Sequence, residues 1–389
     1  MIYFYFPTKD TTIYEEFKDK NTGKDEILEL TKLTSGSSKR VDGSTYDETL
    51  NTRILLQFDY TALSSSINDG DIPVFDSGST TSASGFMKLH VSEENAITDQ
   101  ETIVMRPLSM SSTGSWNEGL GRDHNINENG LPIATLGASW ANSKIESNEV
   151  WNTNLIDGSN DSNEKYFATT SGGGTWHSND LYSGSQDLTN LSGDLNLDIT
   201  GGLSASLANV IANKGWIIKR LTANESDSGR YGSHKYFSID THTIYAPKLE
   251  IKWDDSSFDT GSLSELTADD ILVYVNNNRG EYKENSRERI RVVGRERYPT
   301  KTYATSSDNL TVKYLPTTSY YGIKDMHTEE MIIDFDTTYT KLSCDSTGNY
   351  FDLWMDGLQP ERYYRLLFRV DRGTKKQYFD DDIVFKIVR

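Results

Sequence analysis

Short apolar segments with a period of two, each bounded by Gly, Ser, Asn or Asp, recur from one end of this chain to the other. Arg53-Ile-Leu-Leu-Gln-Phe-Asp59, Phe86 to Val91, Thr102 to Leu108, Asp194 to Thr200, Gly215-Trp-Ile-Ile-Lys219, Lys235-Tyr-Phe-Ser238 and Leu249 to Trp253 all have strand length. Alternation at that period sends successive side chains to opposite faces, so such a chain has to fold as packed sheets. In the strand from Asn51 to Tyr60, Ile54, Leu56 and Phe58 share one face. Leu56 and Phe58, with Leu197, Ile199, Ile217 and Leu249, form the expected core of one sandwich. Gly202 to Asn213 breaks the pattern, with Leu203, Leu207, Val210 and Ile211 at helical spacing. Gly215 is expected to cap that helix, and the Ser-, Thr- and Asp-rich residues 61–84 to form a surface loop.

A chain of 389 residues exceeds one compact core. With 22 Tyr and 14 Phe against 8 Pro, its apolar residues lean towards strand formers. Charge divides the chain: residues 1–259 hold 20 Lys+Arg against 37 Asp+Glu (−17), residues 260–389 hold 19 against 21 (−2). The expected organisation is therefore a β-sandwich over 1–259, a linker from Asp254 to Leu266, and a second sandwich over 267–389. Strands expected at 271–275, 289–293, 310–314, 331–335, 350–355, 363–370 and 383–388 make the second one immunoglobulin- or fibronectin-like, with about seven strands.

Residues 109–193 are a long polar insertion in which Trp116, Trp140, Trp151 and Trp176 stand out. Tryptophans in such a loop either anchor it as a local core or line up as a platform for sugar rings. The segment from Arg287 to Arg297 is locally basic. Arg289 and Arg291 project from one face of a strand, and Gly294 is read as a bulge before Arg295 and Arg297. Such a strand suits a charged sheet edge that blocks stray pairing, or a contact onto an acidic subunit. Tyr320 and Tyr321 are read as a loop belonging to the same candidate interface.

Catalytic constellations are not legible. No serine lies in a Gly-x-Ser-x-Gly elbow, and Cys344, the single cysteine, has no histidine nearby in sequence. Asp254-Asp255 and Asp380-Asp-Asp382 are adjacent carboxylates, which a strand sends to opposite faces. Either could hold calcium, though neither matches a dedicated binding loop. The expectation is no enzyme activity and no cofactor, with the presence of a metal left open. The acidic first part argues against duplex nucleic acid as a partner, and no run approaches the roughly 18 apolar residues of a membrane span. Met1-Ile-Tyr-Phe-Tyr-Phe-Pro7 reads as a strand and not as a signal peptide, so synthesis and assembly in a cytoplasm are expected.

The order of Arg53-Ile-Leu-Leu-Gln-Phe-Asp59, Trp116-Asn-Glu118, Leu197-Asp-Ile-Thr200, Gly215-Trp-Ile-Ile-Lys219 and Ala246-Pro-Lys-Leu-Glu-Ile251 resembles the DNRLRE-type jelly-roll domain over roughly residues 1–256. More narrowly, Trp116-Asn-Glu-Gly-Leu-Gly121, the pair Trp140 and Trp151, Pro247 to Asp255 and Val275 to Gly280 are similar to virion structural proteins of contractile-tailed bacteriophages. The resemblance implies an all-β chain: a jelly roll, then the immunoglobulin-like sandwich. It further implies a place in the neck, tail or baseplate of a particle, with other virion proteins and copies of itself as partners. The alternative reading is a carbohydrate-binding adhesin module that contacts a surface glycan.

Overall fold

The structure, a computed structural model, describes residues 1–15, 17–39, 45–76, 82–96, 100–110, 113–122, 135–151, 172–189, 193–227, 229–299 and 311–389. It is all-β, with three short α-helices and one 3-10 turn among these residues. Backbone contacts divide it into two compact units, the first chiefly Phe6–Gly78 and Ala83–Glu250, the second chiefly Met1–Tyr5 and Ile251–Arg389. The division falls nearer to the N-terminus than the expected 259. Trp253 and Phe258 already belong with the second unit: Phe258 bridges to Cys344, and Ile2 and Phe4 lie in that unit's core. The charge step near 260 marks a change of composition and not this division.

In the first unit the main sheet runs Gly184–Thr189, Gln100–Pro107, Trp216–Arg220, Thr45–Gln57, Ile27–Lys39, Gly232–Phe237, Val91–Ala96, with Lys9–Tyr14 also paired to Thr45–Gln57. A smaller sheet joins Lys248–Lys252, Ser84–Leu89 and Leu195–Asp198. The register sets Trp216 opposite Leu56, Ile217 opposite Leu55 and Ile218 opposite Ile54. One face therefore carries Ile54, Leu56, Trp216 and Ile218, and the other carries Arg53, Leu55, Ile217 and Lys219. Both faces are buried. Leu55, Ile217 and Ile13 join Leu108, Ala138 and the four tryptophans of the insertion in a single apolar cluster. The described part of the insertion thus covers the outer face of the sheet, which is why Ile54-Leu-Leu56 and Trp216-Ile-Ile218 read as unbroken apolar runs. Leu56, Phe58, Leu197, Ile199, Ile217 and Leu249 are all fully buried.

Two of the helices begin with the same device. Asp59 Oδ1 accepts from Thr61 N (3.0 Å) and Oγ1 (2.6 Å) at helix Thr61–Asn68, inside the segment read as a loop. Asp198 Oδ1 accepts from Thr200 N (3.0 Å) and Oγ1 (2.6 Å) at helix Thr200–Leu207. This second helix starts and stops earlier than its apolar spacing suggests. Asn209, at φ 57°, turns the chain left-handed just past its end and leaves Val210 exposed. Gly215 is no cap. It leads into Trp216–Arg220 at φ 96°, where a Cβ would lie 2.6 Å from the Leu56 carbonyl oxygen.

The second unit is two sheets around one core. One has the order Ser264–Glu265, Lys313–Tyr314, Arg287–Glu296, Gly348–Trp354, Ser343–Asp345, with Ile271–Val275 also paired to Arg287–Glu296. The other has the order Glu281–Lys283, Lys375–Val388, Tyr363–Arg372, Ser319–Asp325, Met331–Ile333. Ile290, Val292, Phe351 and Leu353 of the first meet Tyr321, Ile323, Leu366 and Phe368 of the second in one cluster. The Tyr321 ring stacks on Phe351 at 4.2 Å between centroids. From Ser264 to Val388 the described residues hold eleven strands, more than the seven expected, because short edge strands flank the long ones. Leu310, the expected start of one strand, lies outside the described residues; the strand there is Lys313–Tyr314. Among the described residues no helix is long and apolar enough to cross a membrane.

Candidate functional site: an arginine ladder on the second unit

Strand Arg287–Glu296 pairs along Val292 to Glu296 with Ile271–Val275 on one side, and with Gly348–Trp354 and Lys313–Tyr314 on the other. Val292 to Glu296 are thus interior, whereas Arg287 to Arg291 have a strand on one side and, at Arg289 and Arg291, Asn276 and Asn277 on the other, so the charged-edge reading fits the arginine half and not the rest. The strand runs without a register shift through Gly294, so the expected bulge is absent. Gly294 points inward, where a Cβ would lie 2.5 Å from Leu315 and 3.0 Å from Leu266. The glycine serves close packing. With Ile290, Val292 and Gly294 inward, Arg287, Arg289, Arg291 and Arg295 fall on the outward face. Arg297 lies beyond the strand and pairs with Asp270 at 2.9 Å.

The neighbouring strand supplies what orders these arginines. Arg287 stands opposite Trp354, Arg289 opposite Asp352 and Arg291 opposite Tyr350. Arg289 grips Asp352 with Nε (2.8 Å) and Nη2 (3.0 Å), and Arg287 reaches the same carboxylate at 3.5 Å. Arg291 Nη1 donates to Asp345 Oδ1 at 2.8 Å. The guanidinium carbons of Arg289 and Arg291 sit 4.1 and 5.1 Å from the Tyr350 ring centre, and that of Arg287 sits 5.3 Å from Trp354. Bidentate pairing and stacking fix planar guanidinium groups in a way lysine would not reproduce. The hydrogen bond from Arg291 holds the Asp345 carboxyl well below its usual range, and the bond to Asp352 pushes Arg289 further up. Three guanidiniums share two carboxylates, so the ladder keeps a positive excess, and the Arg289 side chain remains 49% exposed. Such a row can receive carboxylates from a partner. It contains no nucleophile.

The other expected site residues lie elsewhere. Tyr320 and Tyr321 are buried in strand Ser319–Asp325 and present no loop: Tyr321 is core, and Tyr320 lies under Arg369 at 4.5 Å. Trp116, Trp140, Trp151 and Trp176 are buried as well, so they do not form an exposed sugar platform. The physical reason is the second apolar face of the first unit's sheet, which needs a cover. Their rings also shield buried cations: Arg53 lies 4.7 Å from Trp140 and 5.1 Å from Trp176, and Lys219 lies 4.8 Å from Trp176. Sequence reasoning missed Tyr350, Asp352 and Trp354, although their alternation in Tyr350-Phe-Asp-Leu-Trp354 carried the signal of a matching face.

The acidic pairs considered for calcium are engaged by protein groups. Asp254 accepts from Ser256, while Asp380 and Asp382 lie 3.4 and 3.2 Å from Arg365. In the first unit Asp10, Glu118 and Asp240 bring carboxylate oxygens within 4.8 Å of one another. Lys24 meets that charge, at 2.5 Å from Glu118 and 3.4 Å from Asp240. Burial pushes the Asp10 carboxyl well above its ordinary value, against the pull of the Ile239 N–H it accepts. With burial disfavouring charge on Asp10 and the Lys24 ammonium already paired to Glu118 and Asp240, this trio is poorly suited to a divalent cation.

No protein-family model and no curated protein sequence matches the chain. Among solved structures, it is similar to the crystal structure of a DUF4785 family protein from Legionella pneumophila, at 7% identity and a TM-score of 0.15. That likeness covers 100% of this chain and 62% of the other, so the chain spans less than two thirds of that protein's length.

Proposed function

We propose that this chain is a structural protein of a bacteriophage particle, placed in the neck, tail or baseplate and used in several copies. In this reading the ladder of Arg287, Arg289 and Arg291 docks onto an acidic surface of a neighbouring subunit. The observation that carries the docking role is the ordering of those arginines on the outward face of the sheet. A solvated charge needs no aromatic stack and no two-pronged anchor, whereas an interface gains from side chains already fixed before contact. The strongly acidic composition of residues 1–259 supplies a matching partner in another copy of the same chain. The similarity of the Trp116 to Gly121 and Pro247 to Asp255 segments to tailed-phage virion proteins supports the placement in a particle.

The test is incorporation. Arg289→Gln with Arg291→Gln should leave the melting temperature of the isolated chain close to that of wild type. It should reduce assembly into particles, or salt-sensitive self-association in sedimentation. Unchanged assembly at low and high salt rules the ladder out as a docking face. Mass spectrometry of purified particles tests the placement itself.

A further inference from the structure

Independently of the assembly reading, a cleft of about 660 Å3 opens on the second unit. That is well inside the roughly 300–1,000 Å3 range of small-molecule sites. One wall is aromatic: Phe258 meets the half-buried Tyr314 edge-on, centroids 5.7 Å apart. The walls are tied together. Arg372 donates Nη1 to the Thr267 carbonyl (2.8 Å) and to that of Ala268, and Nη2 to the Leu266 carbonyl (2.6 Å). Asp371 N donates to the Thr318 carbonyl at 2.9 Å, and the Thr318 hydroxyl donates to the Asp371 carbonyl.

What remains to meet a ligand decides its chemistry. Three backbone carbonyls already occupy the terminal nitrogens of Arg372, so an anion finds little to bind it. The Asp371 carboxylate lies 3.2 Å from Arg369 Nε, which offsets its charge. Glu265 is exposed and, among the described residues, neither ion-paired nor hydrogen-bonded through its side chain. The hydroxyls of Thr267 and Thr317 line the same cleft. An aromatic face, free hydroxyls and one uncommitted carboxylate acceptor match an uncharged ligand with an apolar face and many O–H donors.

We propose that this cleft, with Tyr314 as stacking face and Glu265 as acceptor, binds a neutral pyranose oligosaccharide. The insertion tryptophans are not the glycan site; the cleft is. Maltotriose, cellotriose and triacetylchitotriose are titrated into the full chain and followed by saturation-transfer NMR and calorimetry. At least one should bind, and Tyr314→Ala and Glu265→Gln should each weaken it by about tenfold or more. Glu265 is exposed, so its variant keeps the test valid if Tyr314→Ala fails to fold. The proposal is overturned if none of the three binds at about 10 mM, a concentration that reveals even millimolar affinity. It is equally overturned if binding survives Glu265→Gln undiminished. A third adverse result is N-acetyl-lysine methylamide occupying the cleft where the sugars do not, which would make it a cation site.

Discussion

Arg53 and Glu225, 172 residues apart in sequence, meet as a two-pronged ion pair, with Nε 3.0 Å from Oε1 and Nη2 2.7 Å from Oε2. Both side chains are almost sealed from water, and Lys219 lies 3.4 Å from the same carboxylate. Burial alone would raise Glu225, but the charges of Arg53 and Lys219 outweigh it and hold the carboxyl below its ordinary value. Glu225→Gln would leave two buried cations without their anion, and the expected loss is about 3–5 kcal/mol. Urea unfolding of the variant measures it. A loss below about 1 kcal/mol would show that the two cations find other compensation.

Asp325 gives the second unit an acid limit. Burial works to raise it, yet hydrogen bonds from Arg362 and from the backbone of Thr328 and His327 bring it down to about 2 from 3.8. Because the folded value is the lower one, the stabilisation is fully present above pH 3.8 and lost as pH falls through about 2. Asp325→Asn should therefore destabilise by roughly 2 kcal/mol at pH 6 and by little below pH 2. Denaturant titrations at the two pH values check this, and equal losses at both would refute the linkage.

Asp10 carries the opposite sign. Its folded value lies above 3.8, so stability is lost as pH rises from 3.8 through the raised value. Asp10→Asn, which keeps an oxygen for the Ile239 N–H, should raise the melting temperature at pH 7 by about 2–4 °C, equivalent to roughly 1 kcal/mol in a unit of this size. The difference should vanish below pH 3.8. If millimolar calcium reverses the sign, the trio holds a divalent cation after all and Lys24 is displaced.

Cys344 is buried in strand Ser343–Asp345, and burial, helped by Asp345, pushes its thiol up to about 11. Little thiolate exists at neutral pH, so a disulfide reagent should react at about a hundredth or less of the rate of a free cysteine of pKa near 8.5. Full reactivity should return in denaturant. Fast labelling of the native chain would contradict the packing around this strand.

Much of the strand pattern was readable because local alternation survives in Ile271–Val275, Tyr363–Arg372 and Ser84–Leu89. The starts of two helices were readable in principle as Asp59-x-Thr61 and Asp198-x-Thr200. Less accessible was what covers each face. Leu55 and Ile217 look like interruptions of an alternating strand until the insertion is seen to lie over them. Tyr320 and Tyr321 look like an exposed pair because Thr317, Thr318 and Ser319 precede them, whereas a facing sheet buries Tyr321 against Phe351. In the ladder, the arginines were legible as a run. Their ordering depends on a strand more than fifty residues later, and local spacing does not encode that register.

The separation of Arg53 from its carboxylate also bears on how the chain reaches its shape. At about 5–20 residues per second on a ribosome, Glu225 emerges some ten to thirty seconds after Arg53. Throughout that interval the central strand bears a guanidinium on a face that can close only when both Trp176 and Glu225 have arrived. The insertion emerges before Trp216–Arg220, so sealing of the outer face waits for that later strand and for Glu225, and chain elongation gates it.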